Sequence, residues 1–184
     1  MSETMNTEDA IREILKNIGE NPNREGLVET PKRIAEMHKE IFSGYNENPE
    51  KIIKTFDAEG TEDMVIVRDI EYYSTCEHHM VPFMGKAHIA YIPDGKITGL
   101  SKLPRLVEVF AKRLQNQERI TLQVAETLMK GLKPHGVAVL LTGKHLCMHS
   151  RGVKNPTSEA VTTSWQGEFK TNAALRQEFL GQIK

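Results

Sequence analysis

Cysteine is scarce in this chain, at two residues in 184, and so is tryptophan, at one. A disulfide framework is therefore excluded, and one bridge at most is available. Aromatic residues make up only 6% of the chain, so no aromatic platform for stacking nucleic-acid bases stands out. Neither sign of charge dominates: 24 Lys and Arg against 25 Asp and Glu leave a formal net charge of -1. This balance gives no global attraction to nucleic acid or to a membrane surface, and any anion site must be a local cluster of basic groups. No apolar run approaches the roughly 20 residues of a membrane span. Residues 1–20 are polar and acidic, with no apolar stretch of the secretory kind, which gives a cytoplasmic expectation.

What is present reads as an α+β chain. Ile11, Ile14, Leu15 and Ile18 recur at helical spacing, with Glu8 and Asp9 in the first turn. Thr30-Pro31 predicts a second helix with threonine as N-cap. Residues 45–62 are polar and read as a connection, so a helical region over 1–62 precedes a main body over 63–184. From Met64 the period shifts to strands, continuing through Ile70–Tyr73 and Lys86–Ile92, with a turn at Pro93-Asp94-Gly95-Lys96. Two helices come next, one opening at Ser101 and one after Gln115. Val137–Leu141 and Val161–Trp165 predict further strands, and residues 171–183 a closing helix.

Both scarce cysteines stand beside histidines, in Cys76-Glu77-His78-His79 and in His145-Leu146-Cys147. A Cys-x-x-His pair and a distant cysteine make three ligands for a catalytic zinc ion with one position left for water. Cys76, His79 and Cys147 are that set. His78 and His145 remain as proton carriers at neutral pH, although either as a fourth ligand would close the site into a structural one. Lys102 and Arg105 lie three apart at a helix start, and Arg151 comes soon after the second cluster, a set suited to phosphates. Gln117-Glu118 opens the next helix; its carboxylate can favour the helix terminus or accept the paired N–H donors of guanine.

Together these segments resemble the GTP cyclohydrolase I family. The resemblance runs through Gly26–Arg33, Ser74–His79, Gly99–Lys102 with Arg105, Arg113–Arg119, His145–Cys147 and Arg151-Gly152, in order. It implies conversion of GTP and water to 7,8-dihydroneopterin triphosphate and formate, the entry to folate and related pterins. It implies Zn2+ on Cys76, His79 and Cys147, with His145 as acid for the purine ring nitrogen, His78 assisting, and Ser101 serving the ribose steps. Lys102, Arg105 and Arg151 correspond to triphosphate contacts, and Gln117 and Glu118 to the guanine pocket. The implied fold is the tunnelling fold, an antiparallel sheet with helices on one side, assembled as a homodecamer with sites between subunits. No nucleic acid and no membrane enter as partners.

Two positions depart from the family pattern. Asn116 stands where an apolar residue is usual between the two glutamines, which predicts local repacking. Glu36 stands near where some members carry a lysine that reaches a neighbour's phosphate site, with Arg33 one turn earlier. Two other readings compete. A tunnelling-fold nitrile reductase would use Cys76 as nucleophile and leave His79 and Cys147 without a task. A structural zinc module would hold four protein ligands and release no formate from GTP.

Overall fold

A computed structural model describes residues 5–184. The chain divides into two compact units, Met1–Ser43 and Gly44–Lys184. In the first, helix α1 (Thr7–Asn17) is capped by Asn6, whose side chain accepts from the Asp9 amide. Helix α2 (Thr30–Ile41) begins at Thr30 itself; Glu29 precedes it without a side-chain cap. Thr30 is thus a helical residue and not the predicted cap. Pro31 still sits in the first turn, where its missing N–H costs nothing.

The second unit, from Gly44, takes in the segment 45–62 that reads as a connection, which here carries the short strand β1 (Thr55–Asp57). After it come strands β2 (Val65–Cys76), β3 (Pro82–Ile92), β4 (Lys96–Thr98), β5 (Leu114–Gln115), β6 (Gly136–His145) and β7 (Ala160–Gly167). β1 pairs with β4, and the main sheet has the order β5-β2-β3-β6-β7. β2–β3, β3–β6 and β6–β7 are antiparallel, and β5 joins β2 in parallel only at Thr75 and Cys76. A bulge between Val67 and Ile70, with Asp69 at φ 58°, merges the two expected strand fragments into one long β2.

Alternation along the strands sorts the side chains onto two faces. Ala87, Ile89 and Tyr91 of β3 and Val137, Val139 and Leu141 of β6 face one core. Helices α3 (Lys102–Ala111) and α4 (Gln117–Leu132) close it with Leu103, Leu106, Val107, Phe110, Ile120, Val124 and Leu128. Each of these large side chains contributes about 1.5–3 kcal/mol by leaving water. Ala90, Ile92, Ala138 and Leu140 point the other way. At that end the opposite face is covered by α6 (Glu168–Thr171) and α7 (Ala173–Gln182) through Phe169 and Phe179. The two long helices share one side as expected, and the closing helix is broken in two at Asn172, which caps α7.

The direction of β2 decides which end of α3 lies near Cys76. β2 runs from Val65, opposite Tyr91, to Cys76. Tyr91 Oη accepts from the Thr98 amide just before α3 begins, and the Ser74 hydroxyl donates to the carbonyl of Ala111 where α3 ends. Helix α3 therefore runs parallel to β2, and its last residue, not its first, lies at the Cys76 end.

Candidate metal and nucleotide site

Cys76 ends β2, and the chain turns at once. The Cys76 carbonyl accepts from the amides of His79 and Met80, and its own amide donates to the Val81 carbonyl. Met80 takes a left-handed conformation, φ 52°, to complete the reversal into β3. This turn is what sends Cys76 and His79 toward one point. Cys147 comes from the other half of the sequence. β6 ends at His145, opposite Phe83, and the single turn α5 (Leu146–His149) carries Cys147 inward.

The three ligand atoms of Cys76, His79 and Cys147 lie within 4.8 Å of one another. The two sulfurs are 3.8 Å apart. Two thiolates each about 2.3 Å from a tetrahedral ion stand about that far apart, so the donor set fits one metal ion. An Arg151 guanidinium N–H donates to His79 Nε2 at 3.3 Å. Guanidinium has no acceptor, so in this contact the His79 nitrogen is the acceptor. Burial and the neighbouring Cys76 push the Cys147 thiol up from its ordinary value.

His145 stands beside this cluster. Its ring stacks on Phe83 with centroids 4.5 Å apart and planes 7° from parallel. Its Nε2 lies 3.0 Å from Gln117 Oε1. Gln117 is 1% exposed, and its Nε2 donates to the carbonyls of Leu141 and Ala160 and to Thr162 Oγ1. Those acceptors fix which way the amide faces, so Oε1 meets His145 and must receive a proton from it. Burial pushes the His145 pKa down, and the Glu118 carboxylate pulls the other way. The Gln117 side chain is thus fully engaged by the protein. Glu118, next along, is exposed.

His78 is open to solvent, with its side chain 65% exposed, Nε2 3.8 Å from Glu77 Oε1 and Nδ1 3.9 Å from the Cys76 sulfur. Ser101, Lys102 and Arg105 belong elsewhere. Ser101 precedes α3 without a side-chain cap bond, so the expected cap is a position only. The ten residues of α3 span about 15 Å. Its first turn is therefore held at the Tyr91 end of the sheet, a helix length from Cys76 in the same chain. Arg151 does reach the cluster, through His79.

Several residues at the site carry no role in the sequence reading. Glu77 binds Arg119 with both oxygens, at 2.6 and 2.9 Å, and accepts from Asn116 Nδ2 at 3.1 Å. Asn116 also caps α4, its Oδ1 accepting from the Arg119 amide at 2.8 Å. The local repacking expected at Asn116 takes the form of a polar network. Glycine at 143 is required by Gln117: a Cβ there would collide with Gln117 Oε1 and lie 2.9 Å from Tyr72 Oη. An asparagine directly ahead of an apolar-periodic helix was the one local signal for the cap; the glycine had none.

Comparison with known proteins identifies the family. The family model described as GTP cyclohydrolase I matches residues 7–184. GTP cyclohydrolase 1 of Bacillus subtilis is 54% identical over 178 residues, covering 96% of this chain and 94% of that protein. The protein of the same name from Pelotomaculum thermopropionicum is 56% identical over 178 residues, with 96% and 95% covered. That from Brucella canis is 48% identical over 179 residues, with 96% and 84% covered. The crystal structure of the archaeosine synthase QueF-Like in the apo form aligns at a TM-score of 0.47 and 15% identity, over 56% of this chain and 93% of that one. That last likeness is too partial to carry weight. Matched along nearly its whole length, with the thiols, the imidazoles and the opening of α4 gathered at one end of an α+β tunnelling-fold sheet, the chain belongs to the GTP cyclohydrolase I family of hydrolases.

Proposed function

We propose that this protein opens the imidazole ring of GTP in a zinc-dependent hydrolysis, yielding formate and 7,8-dihydroneopterin triphosphate for folate and pterin synthesis in the cytoplasm. The observation that carries the reading is the meeting of Cys76, His79 and Cys147 beside a histidine whose ring orientation is fixed. Two thiolates and one neutral imidazole would hold zinc with zero net charge and a vacant fourth position, where the ion supplies Lewis-acid activation of water.

The chain's own groups do the rest. C8 of a purine is a poor electrophile until N7 is protonated, so an acid must act with the water. His145 is that acid. Gln117 Oε1 retains the Nε2 proton, which leaves Nδ1 as the nitrogen that takes and gives a proton. Burial disfavours the charged ring, so a proton that Nδ1 takes from the attacking water is readily passed on to the purine nitrogen. His78 assists from the solvent side. Glu118 accepts the N1–H and N2–H donors of guanine, and the first-turn amides of α4 lie beside it. Arg151 meets the triphosphate end.

A triphosphate carries about four negative charges, and Arg151 alone does not balance them. Lys102 and Arg105 are assigned to the same task, with Ser101 at the ribose. Their position a helix length from Cys76 means they would serve the site of a second copy. The outer edge of β7, and that of β2 before Thr75, pair with no strand among the described residues. Open edges of this kind support a homo-oligomer, a decamer by resemblance, with sites between subunits. Incubating the purified protein with GTP tests the reading: it requires one formate per dihydroneopterin triphosphate. Formate-free conversion, or none in the zinc-loaded protein, rejects it.

A further inference from the structure

The Cys76–His79 turn is held to the opening of α4 by more than its own backbone. Glu77 lies inside the turn, between the two proposed ligands. Its amide donates to the Gln115 carbonyl at 2.9 Å, and its carboxylate makes the bidentate pair with Arg119 and the third bond to Asn116. Arg119 also donates to Gln115 Oε1 at 3.4 Å, and Gln115 is anchored inside by bonds to the Phe110 carbonyl and to Gln123 Oε1. One residue, Asn116, both starts the helix and grips Glu77.

We infer that Glu77, Arg119 and Asn116 form a strap that fixes the ligand turn against the first turn of α4, making the three of them positioning residues for Cys76 and His79. The inference rests on the proposed metal centre. Its physical basis is the difference between what the strap gives the fold and what it gives the turn. The Glu77 and Arg119 side chains are 26% and 42% exposed. An ion pair that open contributes little to overall stability. The turn's other ties are its own backbone bonds and the contacts of two exposed side chains, His78 with Glu77 and Cys76 and His79 with Arg151, while Met80 is in a left-handed conformation. A planar fork on a carboxylate sets orientation as well as distance. The strap therefore acts on ligand geometry while leaving the global fold nearly unchanged. It also ties the metal corner to the helix turn that carries Glu118, so ion and base are registered on one rigid element.

The test uses the zinc-loaded protein without GTP, mixed with excess 4-(2-pyridylazo)resorcinol, and monitors zinc release by absorbance. Glu77→Gln keeps the shape of the side chain and removes its charge. Asn116→Ser keeps an oxygen at the cap and removes the donor to Glu77, and it serves alone should Glu77→Gln fail to fold. Release at least fivefold faster than wild type, with a thermal midpoint close to wild type, is the expected result. Release less than fivefold faster in a folded variant overturns the strap while leaving the metal centre standing. A wild-type protein that takes up no zinc overturns both.

Discussion

Gln117 Oε1 lies 3.0 Å from His145 Nε2, across 28 residues of sequence, and the carbonyls of Leu141 and Ala160 on the amide's far side leave it one way to face. Gln117→Leu removes both functions of that amide. The buried amide's bonds to two carbonyls and a hydroxyl are lost, so the thermal midpoint falls. His145 loses its orientation, and kcat should drop by about 10²-fold, the lower end of what a positioned acid or base contributes. Zinc content stays at wild type. Calorimetry, steady-state kinetics and metal analysis on one preparation check all three.

Gly143→Ala should reproduce that defect without touching a polar group. The added methyl takes the space of Gln117 Oε1 and crowds Tyr72 Oη, which itself donates to the Thr142 carbonyl at 3.0 Å. The expected outcome is a lowered midpoint and a reduced kcat. Gly152→Ala is the control: it meets no atom closer than 3.9 Å, although its φ of 62° carries backbone strain. A wild-type kcat in Gly143→Ala shows that Gln117 does not need its place.

These two residues mark how far the chain could be read unaided. The grouping of Cys76, His79 and Cys147 was legible because cysteine is rare here and each copy has histidine beside it. The helices and strands of the second unit were legible because periodicity reports burial directly, as at Ala87, Ile89 and Tyr91. Gln117 was placed in a guanine pocket by resemblance, whereas its bonds to Leu141 and Thr162 were not legible, because those partners lie 24 to 45 residues away and nothing local announces them. Asn116 read as a packing change, since the contact with Glu77 spans 39 residues. Lys102 and Arg105 read as one cluster with Arg151, and only the direction of α3 along β2 separates them within a chain.

Glu118→Gln should weaken preference for guanine. In the proposed pocket the carboxylate would accept two donors from the base, whereas an amide accepts one and presents a donor to the other. The loss is expected in kcat/KM for GTP, by about 10- to 100-fold, with binding of ATP little changed. Competition between GTP and ATP measures it. Undiminished discrimination removes Glu118 from base recognition.

His88 gives the fold a pH dependence separate from the active site. It is buried on the sheet face away from α3, and its Nδ1 accepts from the Asp69 amide at 3.3 Å inside the bulge. Burial holds its pKa below the ordinary 6.5; Asp69 opposes the shift, while Lys86 and Arg68 add to it. The unfolded chain therefore binds the proton more readily. The stabilisation is whole above about pH 6.5 and is lost as pH falls below it. Melting temperature should rise from pH 5.5 to 7.5, and the rise should shrink in His88→Gln. An equal rise in both proteins assigns the effect to other groups.

Joint loss of zinc and turnover on removing a single sulfur tests the account most directly. Cys147→Ala should purify folded, with zinc below a tenth of the wild-type content and no formate from GTP; chelated wild-type protein should behave likewise and recover when zinc is restored. A Cys147→Ala protein that keeps its zinc, or that releases formate at the wild-type rate, contradicts it.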